Sequence, residues 1–283
     1  MQEKEEAEML RKRDKRDEIA FGSFSSASNL HEEVESRVHM GYYFVVMGEL
    51  TGETGARSSS IMFLHRRNFL NLDFIMQSGV FFGFPPSYFK SYNLVGKLRT
   101  FGFIDYSPKE AVPLSNEEKT TINQIFNLIE RECERNADDK TKDILFASLE
   151  LLIFNVSRFY SRFFNEQSRY LLSVREKFKL LLEHAFDLND RRNSQVPSLI
   201  DMATRLNCTT RYLNDVMLFT GDKSAAVEIE QKIVEVTKKL LAESELSVAE
   251  IAYKIGFTEP QHLNKLFIKK TGLTPMEFRI SLV

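Results

Sequence analysis

The chain has 283 residues, of which 43% are hydrophobic and 28% charged, and its 38 Lys and Arg against 40 Asp and Glu leave a formal net charge of −2. That composition is long enough for two cored domains and is that of an ordinary soluble globular protein. Cys133 and Cys208 have neither metal-ligand spacing nor a framework of pairs, no apolar run reaches about 18 residues, and the opening MQEKEEAEMLRKRDKRDE is too charged for a secretory signal; a cytoplasmic protein without membrane spans is expected.

In chain order, residues 1–20 form a charged arm whose stretch from Glu3 to Glu18 mixes both signs with few apolar anchors. Residues 21–114 contain YYFVVMGEL, SSIMFLH, NLDFIM, GVFFGF and KLRTFGFIDY, rich in aromatic and β-branched residues and separated by Gly, Ser, Pro and Asn. They predict short strands in an antiparallel sheet or small barrel. His31, His39 and His65 lack H-x-H spacing with a following carboxylate, so no metal is assigned. The aromatic run from Phe81 to Phe89 reads as core or interface packing ahead of a ligand pocket. Arg57, Arg66 and Arg67 could hold an anionic effector or solvate loops, and the sequence leaves both open.

A helical hairpin is expected over 115–172. Ser115 and Glu118 make a capping-box pattern ahead of Ile122, Ile125, Phe126 and Ile129, and a second helix follows from about Lys140 to Phe164. Its apolar positions Leu145, Leu149, Leu152, Ile153 and Val156 form a face broader than one partner helix needs.

Pro197 opens PSLIDMATRLNCTTRYLNDVMLFTG, in which Leu199, Met202, Ala203 and Leu206 recur at helical spacing, Asn207 suits a left-handed turn and Thr209 can cap a second helix. Tyr212, Leu213, Val216 and Met217 would face inward, leaving Thr210, Arg211, Asn214 and Asp215 on or near the outer side. From Ala225 to Glu243 no Gly or Pro interrupts an amphipathic pattern, so one continuous helix is predicted. Its nineteen residues, at about 1.5 Å rise, span roughly 28 Å, near the ~34 Å repeat that separates successive major grooves on one duplex face.

The last segment repeats the helix-turn-helix pattern more clearly. Ser247 and Glu250 form a capping box, Val248, Ile251, Ala252 and Ile255 make one buried face, and Gly256 supplies the positive-φ residue that ends the helix. Thr258 is expected to cap the next helix with Pro260 in its first turn; Leu263, Leu266 and Phe267 turn inward. Glu259, Gln261, His262, Asn264, Lys265 and Lys269 then lie outward or flanking, and Gln, His, Asn and Lys suit base edges and phosphates.

From about Ser173 to Arg279 the chain resembles the AraC/XylS family of bacterial transcription regulators, the signature being carried by KKLLAES, SVAEIAYKIGF and LNKLFIKKTGLTPMEFR. The resemblance implies an α+β protein: a cupin-like regulatory β-barrel over 21–114, a hairpin at 115–172 that carries the dimer contact, and a DNA-binding domain of two helix-turn-helix units over 173–283. It further implies a cytoplasmic, nucleoid-associated homodimer on double-stranded DNA that activates transcription, with RNA polymerase and an unidentified small-molecule effector as further partners. Two positions depart from the family's pattern, because Asp215 and Leu218 stand where basic residues are common. A carboxylate near phosphates is repulsive, although Asp can accept from cytosine N4.

From Ser173 onward, 16 Lys and Arg face 15 Asp and Glu, so any basic patch is local, at Lys265, Lys269 and Lys270 and at Lys238 and Lys239. No Gly-rich phosphate loop, G-x-S-x-G, H-E-x-x-H or C-x-x-C is present, which argues against an enzyme and assigns no cofactor. The alternative is a regulator-derived module whose weakened first unit binds a protein partner.

Overall fold

The computed structural model describes residues 19–51, 57–69, 76–186 and 196–282. Two units are resolved, Met1–Glu166 and Gln167–Val283. The charged arm falls outside the described residues as far as residue 18, as do residues 71–75 of the NLDFIM stretch.

The first unit is built on strands β1 (Ala20–Phe24), β2 (Tyr43–Thr51), β3 (Arg57–Leu64), β4 (Met76–Phe84) and β5 (Val112–Pro113). They form one antiparallel sheet in the order β1-β4-β2-β3-β5, with Phe44 opposite Leu64 and Tyr43 opposite Phe84, and a bulge between Gly48 and Leu50. The sheet is open, with β1 and β5 at its edges, and the closed barrel expected from the resemblance is not formed by the described residues.

Both faces of the central strands are covered, which is why β2, β3 and β4 carry apolar runs where a half-exposed strand would alternate. On one face α1 (Ala27–His39) lays Leu30, Val34 and Val38 against Phe44, Val46, Met62, Leu64 and Phe81. This helix was not anticipated among the strands, although its signals were present: apolar residues four apart and a cap at Ser26, whose Oγ accepts from the Asn29 N–H at 3.1 Å. On the other face Phe63 meets Phe103 at 5.5 Å, Phe103 stacks on Tyr160 at 5.1 Å, and Phe84 contacts Phe89 at 5.9 Å. The aromatic run from Phe81 to Phe89 is thus largely core, with Phe81, Phe82, Phe84 and Phe89 buried.

The stretch KLRTFGFIDY does not form the predicted strand. It ends the short helix α2 (Leu94–Leu98) and continues into a 3-10 turn at Gly102–Asp105, so its aromatics plug one sheet face instead of joining the ladder. Asn68 holds that turn to the end of β3. Buried, it donates from Nδ2 to the carbonyls of Phe63 (2.9 Å) and Tyr106 (2.8 Å), and accepts at Oδ1 from the His65 N–H at 2.9 Å.

The hairpin is present as α3 (Asn116–Glu134) and α4 (Thr141–Glu166). Ser115 Oγ accepts from the Glu118 N–H (3.2 Å) and the Glu118 carboxylate from the Ser115 N–H (2.8 Å), closing the expected box. Arg162 grips both Glu118 oxygens, at 2.7 and 2.8 Å, and the Pro113 carbonyl at 2.7 Å, tying the end of α4 to the start of α3. Leu145, Leu149, Leu152, Ile153 and Val156, expected as a broad contact face, are all buried in the unit's own core. By length and composition α4 could cross a membrane (mean hydropathy 1.3), yet half of that window is buried inside the protein.

The second unit is helical: α5 (Ser168–Ala185), α6 (Leu199–Arg205), α7 (Thr210–Thr220), α8 (Ala225–Glu243), α9 (Val248–Ile255), α10 (Pro260–Thr271) and α11 (Pro275–Ile280). Helix α8 spans the predicted residues and packs against α6, α7, α9, α10 and α11.

Replacing Asn68 with Ala leaves at least three buried backbone groups without their partner and should destabilise the first unit by about 2–4 kcal/mol. Thermal unfolding followed by tyrosine fluorescence should show a first transition lowered by several degrees.

Candidate nucleic-acid interface

Each helix pair is set by a turn that the backbone chemistry dictates. In the first pair Asn207 adopts φ 52° between α6 and α7, a conformation for which Asn is among the more tolerant side chains. Thr209 then caps α7, its side-chain oxygen accepting from the Tyr212 N–H at 3.1 Å. Met202, Ala203, Tyr212, Leu213, Val216 and Met217 are buried, as the spacing requires. In the second pair Gly256 takes φ 105° and ends α9, and the Ser247–Glu250 box opens it. Thr258 is not the cap of α10. The helix begins at Pro260, whose missing N–H is tolerated at the first helical position, with Glu259 in the cap position and no side-chain cap bond.

Two guanidinium groups brace this unit from outside the turns. Arg175 on α5 donates to the Thr220 carbonyl at the end of α7 and lies 3.6 Å from Glu228 on α8. Arg279 on α11 donates to the Leu241 (3.2 Å) and Leu246 (2.7 Å) carbonyls, covering the C-terminal end of α8 where carbonyls lack intrahelical partners. Neither residue was singled out from the sequence, since both act across more than 30 positions.

The outward positions of α10 are open. Gln261, His262 and Lys265 are exposed and Asn264 is half-buried beside them. Gln261 donates to the Glu259 carboxylate, and His262 lies 3.9 Å from the same group, so Glu259 organises the first turn of the helix. Among the described residues no carboxylate stands within ion-pair distance of Lys265. Lys269 and Lys270 differ. Glu230 on α8 holds both, Lys269 at 3.2 Å and Lys270 at 2.5 Å. The hydrogen bond from Lys270 keeps the Glu230 carboxyl below its ordinary value of 4.5, with burial opposing and Lys269 adding to the effect. This clamp is therefore present at neutral pH and is lost as pH falls through the lowered value. Lys238 is also engaged, its ammonium 5.3 Å from the Phe278 ring centre.

The outward face of α7 is more committed. Arg211 Nε lies 3.7 Å from Asp215, one turn away, so the carboxylate partly neutralises the only arginine on that helix. Asn214 turns its Oδ1 to the Ala226 N–H at 3.2 Å, occupying an amide at the start of α8. Thr210 sits half-buried in the first turn. The two helices thus present unequal surfaces.

His31 and His39 share α1 and pack on Phe69, at 4.8 and 6.4 Å between ring centres, while His65 stacks on Tyr43 at 5.1 Å. Cys133 is exposed as a residue, yet desolvation of its sulfur, followed by neighbouring Glu132, pushes the thiol up to about 11, so it is protonated at neutral pH.

Residues 202–281, spanning both helix pairs and α8, match the family model described as a helix-turn-helix domain. The second unit carries a helix-turn-helix domain. Among solved structures, the chain is similar to the DNA-binding domain of the transcriptional factor AdpA, solved in complex with a target DNA (21% identity, 38% of this chain and 90% of that one, TM-score 0.33). The C-terminal domain of the response regulator yesN from Fusobacterium nucleatum is similar at 22% identity, over 38% of this chain and 98% of its own, with a TM-score of 0.34. ToxT from Vibrio cholerae aligns over 94% of this chain and 98% of its own at 14% identity and a TM-score of 0.31. No curated protein matches the chain.

Substituting Glu230 by Gln should release Lys269 and Lys270 toward an approaching polyanion. Retention on heparin should then extend to a higher salt concentration than for the unmodified protein.

Proposed function

We propose that the chain is a sequence-specific DNA-binding transcription regulator whose two helix-turn-helix units read successive major-groove segments. The observation that carries this reading is the polar outer face of α10, Gln261, His262, Asn264 and Lys265, held outward by a buried Leu263 and Phe267 within the matched domain. Such side chains can donate to or accept from base edges, and the ammonium can meet a phosphate. Helix α8, at roughly 28 Å, is the spacer that would bring α7 near a second groove.

In this reading α10 supplies most of the affinity. Arg211 is partly neutralised and Asn214 is half occupied, which leaves Thr209, Thr210, Arg211, Asn214 and Asp215 a smaller share of the contacts. The weak net charge of the unit then calls for avidity, and a homodimer supplies it. The surface for a second copy is the outer side of α4, where Ile144, Ala147, Leu151 and Phe154 are exposed in a stripe three, four and three residues apart. That is the seam spacing of paired helices. The first unit would act as the regulatory half of the protein, coupled to an effector.

Lys265→Ala should weaken operator binding about tenfold in a gel-shift titration, since hydrogen bonds to charged groups contribute on the order of 1.5–3 kcal/mol. Arg211→Ala should cost less than threefold, as expected for an already paired side chain. Two residues inserted after Thr237 rotate the distal half of α8 by roughly 200° and should abolish one half of the footprint; an unchanged footprint overturns the two-groove reading. Phe154→Glu should convert a dimer to a monomer in sedimentation at micromolar concentration, and a wild-type protein that is itself monomeric there refutes the dimer.

A further inference from the structure

A cavity of about 340 Å³ opens in the first unit between the end of β3 and the end of α2, lined among others by Tyr43, His65, Arg66, Arg67, Arg99 and Asp105. Three guanidinium groups meet there. Arg66, Arg67 and Arg99 are exposed and, among the described residues, have no ion-pair partner. Surface arginines alone would make no site, but the floor of this cavity is built. His65 is 5% exposed, with its ring stacked on Tyr43, and its Nδ1 accepts from the Arg67 N–H at 3.3 Å, which assigns the ring proton to Nε2. That Nε2 is enclosed and faces Asp105 Oδ1 at 3.1 Å, with the Ile104 carbonyl beside it, so His65 and Asp105 together form a fixed floor.

The walls are held in place by buried hydrogen bonds. Asn68, with bonds to Phe63, Tyr106 and the His65 N–H, fixes the loop bearing His65, Arg66 and Arg67 against the turn bearing Asp105. With the Asp105 carboxylate counted against three guanidinium groups, the lining carries a net charge of +2 when His65 is neutral. Burial holds the imidazole below its ordinary value, with Arg67 acting in the same direction, while Asp105 and the Ile104 carbonyl oppose. A bound anion would add to that opposition and favour the imidazolium.

We propose that this cavity binds a small dianion, a phosphate monoester or a dicarboxylate, whose oxygens accept from the forked guanidinium groups of Arg67 and Arg99 above the floor made by His65 and Asp105. The volume suits a molecule of metabolite size, and Arg forks match the geometry of either oxyanion. This does not depend on the DNA-binding reading, because the site lies wholly within the first unit.

The test is a titration of the full chain with inorganic phosphate and, separately, with succinate, at fixed ionic strength and pH, read by thermal shift. Saturable stabilisation by either supports the site: phosphate alone selects the phosphate ester class, succinate alone the dicarboxylate class, and both together a site that reads charge. The Arg67→Gln/Arg99→Gln variant should bind about tenfold or more weakly, whereas Arg57→Gln, outside the cavity, should bind as the parent. No saturable stabilisation by either probe, or stabilisation that survives the double substitution, overturns the proposal. Should the double variant fail to fold, the His65 imidazole resonances of the parent protein decide: they shift on saturation if the site is occupied and stay fixed if it is not.

Discussion

The second unit depends on the continuity of α8. A nineteen-residue helix with no break buries Ala225, Ile229, Ile233, Val234, Leu240 and Leu241, and those residues are the shared core of both helix pairs. Neither pair has a core large enough to stand alone, since each contributes only two short helices, so each gains its rigidity by packing on the same rod. Its ends are fixed by different means. Ser224 caps the N-terminus, Asn214 adds a bond to the Ala226 amide, and Arg279 covers the carbonyls at the far end.

The first unit solves a different problem. An open sheet with two unpaired edges must bury both faces of its central strands, and it does so with a helix on one side and aromatic turns backed by α4 on the other. The turn at Gly102–Asp105 belongs to that second cover, and Asn68 is the polar link that lets a buried loop run there without unpaired carbonyls. The same link shapes the basic cavity.

What the sequence made legible follows from how local each determinant is. The caps at Ser115, Thr209 and Ser247, the glycine turn at Gly256, the left-handed Asn207 and the whole of α8 depend on neighbours within about four residues, and all were readable. The cap of α10 was misplaced by one residue because Thr258 is a good capping type but Pro260 sets the start. The missed α1 carried plain local signals, a Ser26 cap and Leu30, Val34 and Val38 four apart, whereas KLRTFGFIDY was misread for a physical reason. In a unit covered on both faces, aromatic and β-branched residues mark burial and not strand, so composition stops discriminating. Long-range partners were out of reach: that Glu230 meets Lys269, or that Arg162 meets Glu118, is a property of the fold and has no local signature.

The ion triad between α8 and α10 bears on how this protein would move along a polyanion. Two of the ammonium groups at the end of the outward helix are already screened by an internal counterion, so fewer condensed cations would be displaced when the unit touches a duplex of arbitrary sequence. Stray encounters would be brief, and a long dwell would have to come from hydrogen bonds that only a matched sequence offers.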